Sequence, residues 1–218
     1  GSTTALDGVS ATVRAGEAVA VMGASGSGKT TLLHCLAGIV LPDTGSVRLF
    51  GTATGVPAEI TSLDDAARSA LRRTEFGFVF QQGLLIPELT AGENVALALM
   101  LNGTPRQVAE QQAAAALAAL GLAGMEGRRI GELSGGQAQR VAIARAQVNG
   151  ARVLFADEPT GALDSRTSAD VMALLLQSVA GTGRALVVVT HDPEVARWCS
   201  RVLTLADGRI VADTAGVA

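Results

Sequence analysis

A glycine-rich octet near the start of the chain has the residue types and spacing of a phosphate-binding loop. Residues 23–30 follow the pattern G-x-x-x-x-G-K-[ST]. Glycines let backbone N–H groups turn toward phosphates, and the N-terminus of the following helix adds partial positive charge. We expect Lys29 to bridge the β- and γ-phosphates and Thr30 to bind Mg²⁺. The predicted nucleotide contacts in this segment are Gly23, Ala24, Ser25, Gly26, Ser27, Gly28, Lys29, Thr30 and Thr31.

Lys29 is the only lysine among 17 basic residues, and all the others are arginine. A lysine ammonium is a compact point charge that fits between two phosphates, whereas an arginine guanidinium is planar and wider. In a chain so biased toward arginine, the one lysine marks a position where arginine would not serve.

Two adjacent carboxylates follow a short apolar run that predicts a buried strand. Asp157 and Glu158 come directly after Val153–Ala156. The carboxyl ends of parallel strands are where α/β folds bind ligands. We therefore expect Asp157 to join the Mg²⁺ shell and Glu158 to polarise the attacking water. Taken alone, both could be turn residues before Pro159, but a phosphate loop in the same chain favours the metal and water roles.

A second glycine-rich segment opens a predicted helix without a lysine of its own. Ser134 and Gln137 have the spacing of a helix-capping box, which is a purely structural role. That role does not explain Gly135 and Gly136, which cost helix stability and leave N–H groups exposed. Such a helix N-terminus can act as a second anion site that covers a γ-phosphate bound elsewhere.

Strands and helices alternate along the chain, which predicts an α/β fold with a mainly parallel sheet. The predicted strands are Val9–Arg14, Ala18–Met22, Ser46–Phe50, Phe76–Phe80, Val153–Ala156, Leu186–Val189, Val202–Leu205 and Arg209–Val211. The predicted helices are Lys29–Ile39, Asp64–Arg73, Thr90 to about Leu101, Thr104–Leu120, Gly135–Val148, Thr167–Ala180 and Asp192 to about Cys199. Helices between about Gln82 and Asn149 form an insertion between two sheet strands.

Composition limits the classes of function. The chain has 218 residues, 48% of them hydrophobic, and a net charge of −3. No run of basic residues predicts a nucleic-acid groove, and no apolar run approaches the roughly 18 residues that span a bilayer. A partner must therefore hold the chain at any membrane where it acts. Cys35 and Cys199 lie in apolar helical contexts and are expected to be reduced core thiols.

The motifs together resemble the nucleotide-binding subunit of ATP-binding-cassette (ABC) transporters. Leu133–Gln137 matches the family signature, and Ala138–Ala146 continues it. Gln81 after Phe80 matches the glutamine loop. The loop after the second carboxylate motif is matched by Gly161–Asp164, and the switch histidine is matched by His191 after Thr190. The resemblance covers nearly the whole chain. In isolation, His191 could also be an ordinary loop histidine.

The resemblance implies a P-loop NTPase with a RecA-like parallel core, a small antiparallel β subdomain and an inserted helical subdomain at about 82–149. The whole chain, residues 1–218, is then one ABC ATPase domain. Two subunits face each other head to tail with two ATP molecules between them. Each ATP lies between one subunit's Lys29 loop and the other's signature segment. The contacts implied for that second side are Ser134, Gly135, Gly136, Gln137 and Asp164.

The resemblance also assigns roles around the phosphates. It implies that Gln81 contacts Mg²⁺ and water and senses the partner, and that His191 contacts the γ-phosphate. Asp164 communicates across the dimer. The metal ligands implied are Thr30, Gln81 and Asp157, and the catalytic residues are Glu158, His191 and Gln81. The cofactors are ATP and Mg²⁺.

Residues 76–82 and 156–165 are similar to the macrolide-export and lipoprotein-release branch, as is Leu71–Arg73. This implies an ATPase at the cytoplasmic face of the cell membrane that drives export through a permease, contacted around Gln81–Thr90. An alternative is a non-transporting complex that signals across the membrane. A third reading, a clamp on DNA or ribosomes, lacks the expected basic arms and tandem cassettes, so no nucleic-acid partner is expected.

The sequence departs from the family pattern in two places. No aromatic residue precedes Phe50 to stack on adenine, and Gln147 replaces a usual apolar residue. We expect the stacking residue and an N-terminal edge strand to be missing. Stacking on a base is worth about 1–3 kcal/mol, so nucleotide affinity should fall below that of a fuller chain. The chain could also be a folded but inactive fragment.

Overall fold

A six-stranded sheet forms the centre of the protein, in a computed structural model that describes residues 4–51, 57–81 and 83–214. The strand order across the sheet is β4-β5-β6-β1-β7-β8. Its strands are β1 (Ala18–Met22), β4 (Phe76–Phe80), β5 (Val153–Asp157), β6 (Ala185–Thr190), β7 (Arg201–Ala206) and β8 (Arg209–Asp213). A separate two-stranded sheet pairs β2 (Arg48–Leu49) with β3 (Ala58–Glu59).

Neighbouring strands from β4 to β7 pair in parallel, and β8 alone runs antiparallel at the edge. The β7–β8 hairpin turns at Asp207 and Gly208, whose φ angles are +47° and +75°. Positive φ at both central residues is the geometry that an Asp-Gly pair favours in a two-residue hairpin. The two strands predicted at Val202–Leu205 and Arg209–Val211 are therefore present and joined as a hairpin.

Side chains from successive residues of each central strand enter two different cores. In β6, Leu186 and Val188 pack into one hydrophobic cluster, whereas Val187 and Val189 pack into the other. Alternation along a strand sends neighbours to opposite faces, so both faces of the sheet are covered. A sheet covered on both faces explains why the strands read as continuous apolar runs in the sequence.

Helices cover both faces of the sheet. They are α1 (Lys29–Leu36), α2 (Asp65–Glu75), α3 (Ala91–Met100), α4 (Arg106–Ala119), α5 (Gly135–Gln147), α6 (Ser165–Val179) and α7 (Pro193–Ala196). Each predicted helix is present, with ends that differ from the sequence prediction by up to three residues. Helices α3, α4 and α5 all lie between β4 and β5 in the chain. Gln82, at the start of that stretch, lies outside the described residues.

Helix α4 contains the alanine-rich run, and its small side chains permit close packing. Ala109, Ala113 and Leu117 are all fully buried. Residues four apart lie on one face of a helix, so these three form a single apolar stripe against the neighbouring helices. The run is therefore a packed helix.

The strand predicted at Val9–Arg14 is wrong, because no described segment pairs with these residues. A strand exists only through its ladder of hydrogen bonds to a neighbour. Here the main-chain oxygen of Thr12 accepts from an arginine side chain instead. The strand predicted at Ser46–Phe50 is reduced to the two residues of β2, and residues 52–56 lie outside the described part.

Two expectations from composition concerned the cysteines, expected to be reduced thiols, and membrane-spanning segments, of which none was expected. Cys35 and Cys199 are free thiols, the first buried and the second only partly buried. Burial raises the pKa of both thiols, that of Cys199 to about 11. Both therefore stay protonated and unreactive near neutral pH. Within the described ranges, no helix is both long and apolar enough to cross a bilayer.

Arg201 ties the C-terminal hairpin to the segment before β1. It is 7% exposed. Its guanidinium donates to both carboxylate oxygens of Asp213 at 2.8 and 2.7 Å, to Glu17 Oε1 at 3.2 Å and to the main-chain oxygen of Thr12 at 2.7 Å. The paired bonds to Asp213 raise the pKa of Arg201 above its usual range. The network therefore fixes the edge of the sheet.

Replacing Arg201 should destabilise the protein much more than replacing an exposed arginine on the same hairpin. Arg201→Met is expected to lower the free energy of unfolding by about 3 kcal/mol, because Glu17, whose side chain is only 15% exposed, loses its cation. Arg209, whose side chain is 68% exposed, pairs with Asp7. Arg209→Met should cost at most about 1 kcal/mol. Urea denaturation followed by circular dichroism measures both, and equal losses would contradict the role given to Arg201.

Candidate functional site

Three parallel strands end side by side at the mouth of one cleft. The last residue of β1, Met22, is in register with Thr190 at the end of β6, and Asp157 at the end of β5 is in register with Val189. The cleft has a volume of about 680 Å³. It is lined by Thr4, Ala5, Ala24, Ser25, Gly26, Gly28, Lys29, Thr30, Thr31, Asp157, Glu158, Val189 and His191.

The phosphate loop approaches other main-chain segments too closely for any side chain at two positions. A Cβ on Gly28 would lie 2.4 Å from the oxygen of Ala5, and one on Gly23 would lie 2.3 Å from the oxygen of Leu205. Gly28 also has a φ of +101°, which L-residues rarely adopt. These glycines are therefore required by packing of the loop as well as by access to phosphate.

Hydrogen-bond donors at the start of α1 have no internal partners in the part of the chain that the structure describes. Gly28 caps this helix without a side chain, and the N–H of Leu32 is the first to bond back to Gly28 O, at 2.8 Å. The N–H groups of residues 29–31 lie at the cleft. The buried hydroxyl of Ser27 has no hydrogen-bond partner among the described residues. Such orphan donors at a helix N-terminus fit a bound phosphate.

Lys29 is nearly buried at the floor of the cleft, with 8% of its surface exposed. Its Nζ donates to the main-chain oxygens of Gly23 and Ala24, both at 2.8 Å. An ammonium group has three N–H donors. The loop carbonyls thus hold the charge in place, and the ammonium can still donate to a phosphate oxygen.

Thr30 and Asp157 meet across the cleft, as the sequence predicts for two metal ligands. The Thr30 hydroxyl donates to Asp157 Oδ2 at 3.2 Å. Burial raises the pKa of Asp157 above its usual range, and the bond from Thr30 opposes that rise. Hydroxyl and carboxylate oxygens suit Mg²⁺, which binds few protein ligands and completes its shell with phosphate and water. The residues present therefore fit this ion.

Glu158 is held against the end of β6 by three donors. Its carboxylate accepts from the Thr190 hydroxyl at 3.2 Å and from the His191 N–H at 3.1 Å, and His191 Nδ1 lies 2.6 Å from Oε1. Glu158 has a φ of +47°, a costly backbone conformation for a residue with a side chain. Its N–H donates to Val189 O at 2.9 Å, which supports that conformation.

Gln81 stands at the end of β4, one strand away from the cleft. Phe80 is in register with Asp157, so Gln81 follows on the same edge of the sheet. Its side-chain amide lies against Gly161, where a Cβ would come within 2.8 Å of Gln81 Nε2. Gln81 is exposed and does not line the cleft that Asp157 lines.

The signature segment Ser134–Gln137 also lies outside the cleft lining. Ser134 Oγ accepts from Gln137 N at 3.3 Å, and Gln137 Oε1 accepts from Ser134 N at 2.9 Å, so the capping box is present. The hydroxyl proton of Ser134 remains available to an acceptor, and the residue is exposed. Both the structural role and an anion-binding role are therefore compatible with this geometry.

Close packing against α6 requires a glycine at position 136, and the sequence alone did not reveal this requirement. A Cβ at this position would lie 2.4 Å from Cγ2 of Thr167 on α6. The Thr167 hydroxyl donates to Asp164 Oδ2 at 2.7 Å, and Asp164 caps α6 by accepting from the N–H groups of Arg166 and Thr167. These hydrogen bonds from Thr167 lower the pKa of Asp164. Asp164 thus has a capping role beside the one implied by the family.

Several polar residues that position the site were not predicted from the sequence. Asn94, fully buried in α3, bonds both the N–H and the oxygen of Ile86. Arg145 in α5 donates to the oxygens of Gly83 and Leu84, and burial lowers its pKa. The sequence signal that could have identified Asn94 and Arg145 is a polar side chain at a helix position that faces the core.

The family model of the ABC transporter matches residues 6–161. The chain belongs to the ABC transporter family. The family membership expected from the motifs is confirmed.

Curated ABC relatives cover nearly all of the chain. The macrolide export ATP-binding/permease protein MacB 1/2 of Paracoccus denitrificans is 50% identical over 198 residues, which is 91% of this chain and 29% of that protein. The pyoverdine export ATP-binding/permease protein PvdT of Pseudomonas putida is 46% identical over 210 residues, or 96% of this chain and 31% of that protein. The chain thus spans under a third of the length of these relatives.

A solved ABC cassette has the same fold. The dimeric, post-hydrolysis structure of the ATP-binding cassette MJ0796 bound to ADP and Pi superimposes with a TM-score of 0.84 at 39% identity. The match covers 96% of this chain and 89% of that one. The α/β architecture predicted from the sequence is confirmed.

The close approach of Gly136 to Thr167 should make alanine destabilising at a helix position that would otherwise favour it. Gly136→Ala is expected to lower the free energy of unfolding by about 1–3 kcal/mol through overpacking. Thr167→Ser removes the offending methyl and keeps the hydroxyl for Asp164. In that background Gly136→Ala should be neutral or stabilising. A double-mutant cycle by urea denaturation measures the coupling, and additive effects would disprove the contact.

Proposed function

We propose that the chain binds ATP with Mg²⁺ in this cleft and hydrolyses it to ADP and phosphate. The observation that carries the proposal is the convergence of Lys29, Thr30, Asp157 and Glu158 at one cleft where α1 presents unpartnered N–H groups. In phosphoryl transfer, positioning and charge stabilisation account for nearly all of the catalysis. The bond between the γ-phosphorus and the bridging oxygen breaks as water attacks in line, and ADP leaves.

Binding uses the phosphate loop and its neighbours. We assign the β- and γ-phosphates to Lys29 and to the N–H groups of residues 23–31. Thr30 and Asp157 would hold Mg²⁺, which neutralises charge on the phosphate oxygens when bound. Residues Thr4 and Ala5, rather than an aromatic side chain, line the described cleft beside the loop.

For catalysis, Glu158 and His191 must separate, so that Glu158 can contact the attacking water and His191 the γ-phosphate. Glu158 acts as the general base for the attacking water, and His191 contacts the γ-phosphate. In the described geometry the imidazole lies against the Glu158 carboxylate. His191 is 71% exposed, so its ring can turn toward a γ-phosphate and release the carboxylate to accept a proton. Gln81 would complete the metal and water contacts after moving from Gly161.

We propose that two copies of the chain, each a single cassette domain, close head to tail around two ATP molecules. The second side of each site would come from Ser134–Gln137 and Asp164 of the other copy. The signature segment lies outside the cleft of its own chain, which supports a shared site. The relative MJ0796, crystallised as a dimer with ADP and Pi, adds support.

At the level of the whole protein, we propose an ATPase that drives export through an integral-membrane permease from the cytoplasmic face of the cell membrane. The names of MacB and PvdT, both export ATP-binding/permease proteins, support this. The permease would contact the surface around Gln81–Thr90. A non-transporting, signal-transmitting complex is the second candidate, and extraction or movement of a substrate by the purified complex separates the two.

Removing the carboxylate of Glu158 should stop chemistry without stopping binding. Glu158→Gln is expected to lower ATP turnover by about 100-fold or more and to leave ATP affinity within about threefold, because a general base is lost. Steady-state phosphate release and equilibrium binding of a fluorescent ATP analogue measure the two quantities.

A matched control for this variant lies in α7, close in sequence. Glu194 is exposed and pairs with Arg197 at 2.5 Å. Glu194→Gln makes the same chemical change outside the cleft and should leave turnover unchanged. Near-normal turnover in Glu158→Gln, or an equal loss in Glu194→Gln, would exclude Glu158 as the base.

The shared site predicts a dimer that depends on ATP. The Glu158→Gln chain should shift from monomer to dimer in light scattering when ATP and Mg²⁺ are added, because each ATP contacts both copies. The Lys29→Ala, Glu158→Gln double variant should stay monomeric, since it loses phosphate contacts and therefore ATP. A Glu158→Gln chain that binds ATP yet remains monomeric would argue against closure by the isolated chain.

A further inference from the structure

One buried side chain connects the signature helix to both catalytic segments of its own chain. Gln139 lies in α5 and is 3% exposed. Its Nε2 donates to the main-chain oxygen of Phe80 at 3.1 Å and to that of Pro159 at 2.7 Å. Phe80 directly precedes Gln81, and Pro159 directly follows Glu158. A single amide therefore fixes the backbone next to both residues.

The two hydrogen bonds fix the side chain of Gln139 as well as the main chain at Phe80 and Pro159. A buried amide that gave up its partners would stay desolvated, and the two carbonyls would lose their donor as well. An apolar side chain would fill the same space without either bond. A glutamine here therefore specifies the distance from α5 to the ends of β4 and β5, beyond simply filling the core.

The face of α5 that carries Gln139 also contacts Gly83 and Leu84, which come after Gln81 in the chain. A Cβ on Gly83 would lie 3.5 Å from Ala142 Cβ and 3.6 Å from Gln139 Oε1, and Arg145 bonds the oxygens of Gly83 and Leu84 at 2.7 and 2.8 Å. Residues 139, 142 and 145 are spaced by three and share one side of the helix. The start of the glutamine loop is thus attached to α5 at successive turns.

Gln139 differs from Arg145 because its amide also bonds the oxygen of Pro159, next to Glu158, whereas the bonds of Arg145 go to Gly83 and Leu84. Gln139 lies little more than one helical turn beyond Ser134–Gly136, the helix start that we assign to a phosphate. A displacement of that helix start is transmitted along α5 as a rigid element to the amide of Gln139. The amide would then shift Phe80 and Pro159 together.

We infer that Gln139 is a positioning residue that couples the location of the signature segment to the placement of Gln81 and Glu158 in the same chain. The inference rests on the proposed function for the roles of those two residues. In the proposed dimer, the signature segment of one copy lies on the ATP held by the other. Binding of one chain's signature segment to its partner's ATP would therefore change the positions of Gln81 and Glu158 at the ATP held by the first chain.

Kinetics of Gln139→Met test the inference against a matched variant, Gln147→Met, at the far end of the same helix. Gln139→Met is expected to lower kcat for ATP hydrolysis by about 10- to 100-fold, the cost of a misplaced catalytic group. ATP affinity should stay within about threefold, because no phosphate contact is removed. Gln147→Met should change neither quantity.

Hydrogen exchange without nucleotide gives a readout that does not need hydrolysis. Amides in peptides covering residues 81–90 and 158–164 should exchange faster in Gln139→Met than in the unchanged chain or in Gln147→Met. If the unchanged chain fails to hydrolyse ATP, the proposed function is wrong, and the exchange result alone decides the inference.

Two results would overturn the positioning role. One is wild-type turnover and wild-type exchange in Gln139→Met. The other is faster exchange throughout the chain together with loss of ATP affinity, which would make Gln139 an ordinary core residue. If Gln139→Met does not fold, Gln139→Asn carries the same test. It keeps the amide but is one methylene too short to reach both carbonyls, so it should show the same split between kcat and affinity.

Discussion

Parallel pairing of β1 with β6, and of β6 with β5, is the constraint on which the chemistry depends. It places the ends of three strands in a row, with Met22 opposite Thr190 and Asp157 opposite Val189. The phosphate loop follows β1, the pair Asp157 and Glu158 lies at the end of β5, and His191 follows β6. A slip of one residue would turn every side chain of a strand to the other face, so the register also fixes which groups meet.

The phosphate loop takes its shape from segments far away in the chain. Gly23 packs on the main chain of Leu205 in β7, and Gly28 packs on that of Ala5. The N–H of Gly208 donates to the oxygen of Ser27 at 3.1 Å. Because the C-terminal hairpin supports the loop, the buried network of Arg201 that fixes this hairpin also bears on the nucleotide site.

The sequence predicted best what depends on local pattern. The capping box at Ser134 was predicted, and the box at Thr90 and the turn at Asp207 likewise depend only on residues a few positions apart. Features that depend on contacts distant in sequence were not. Val9–Arg14 has a suitable composition for a strand, but a strand needs a neighbour. The contact of Gly136 with Thr167, and the two carbonyls that Gln139 bonds, arise only when α5 packs on the rest of the fold.

In the proposed dimer, each chain supplies two halves of a phosphate site, which do not line the same cleft of that chain. The Lys29 loop has orphan donors and the carboxylates, whereas the start of α5 has an exposed serine and two glycines outside that cleft. If the second half of one copy meets the first half of another, two-fold symmetry makes the reverse contact at the same time and closes the pair. Two ATP sites must then form together. Within each chain the two segments are joined through α5, whose Gln139 amide bonds the main-chain oxygens beside Gln81 and Glu158, the residues to which we assign catalytic roles.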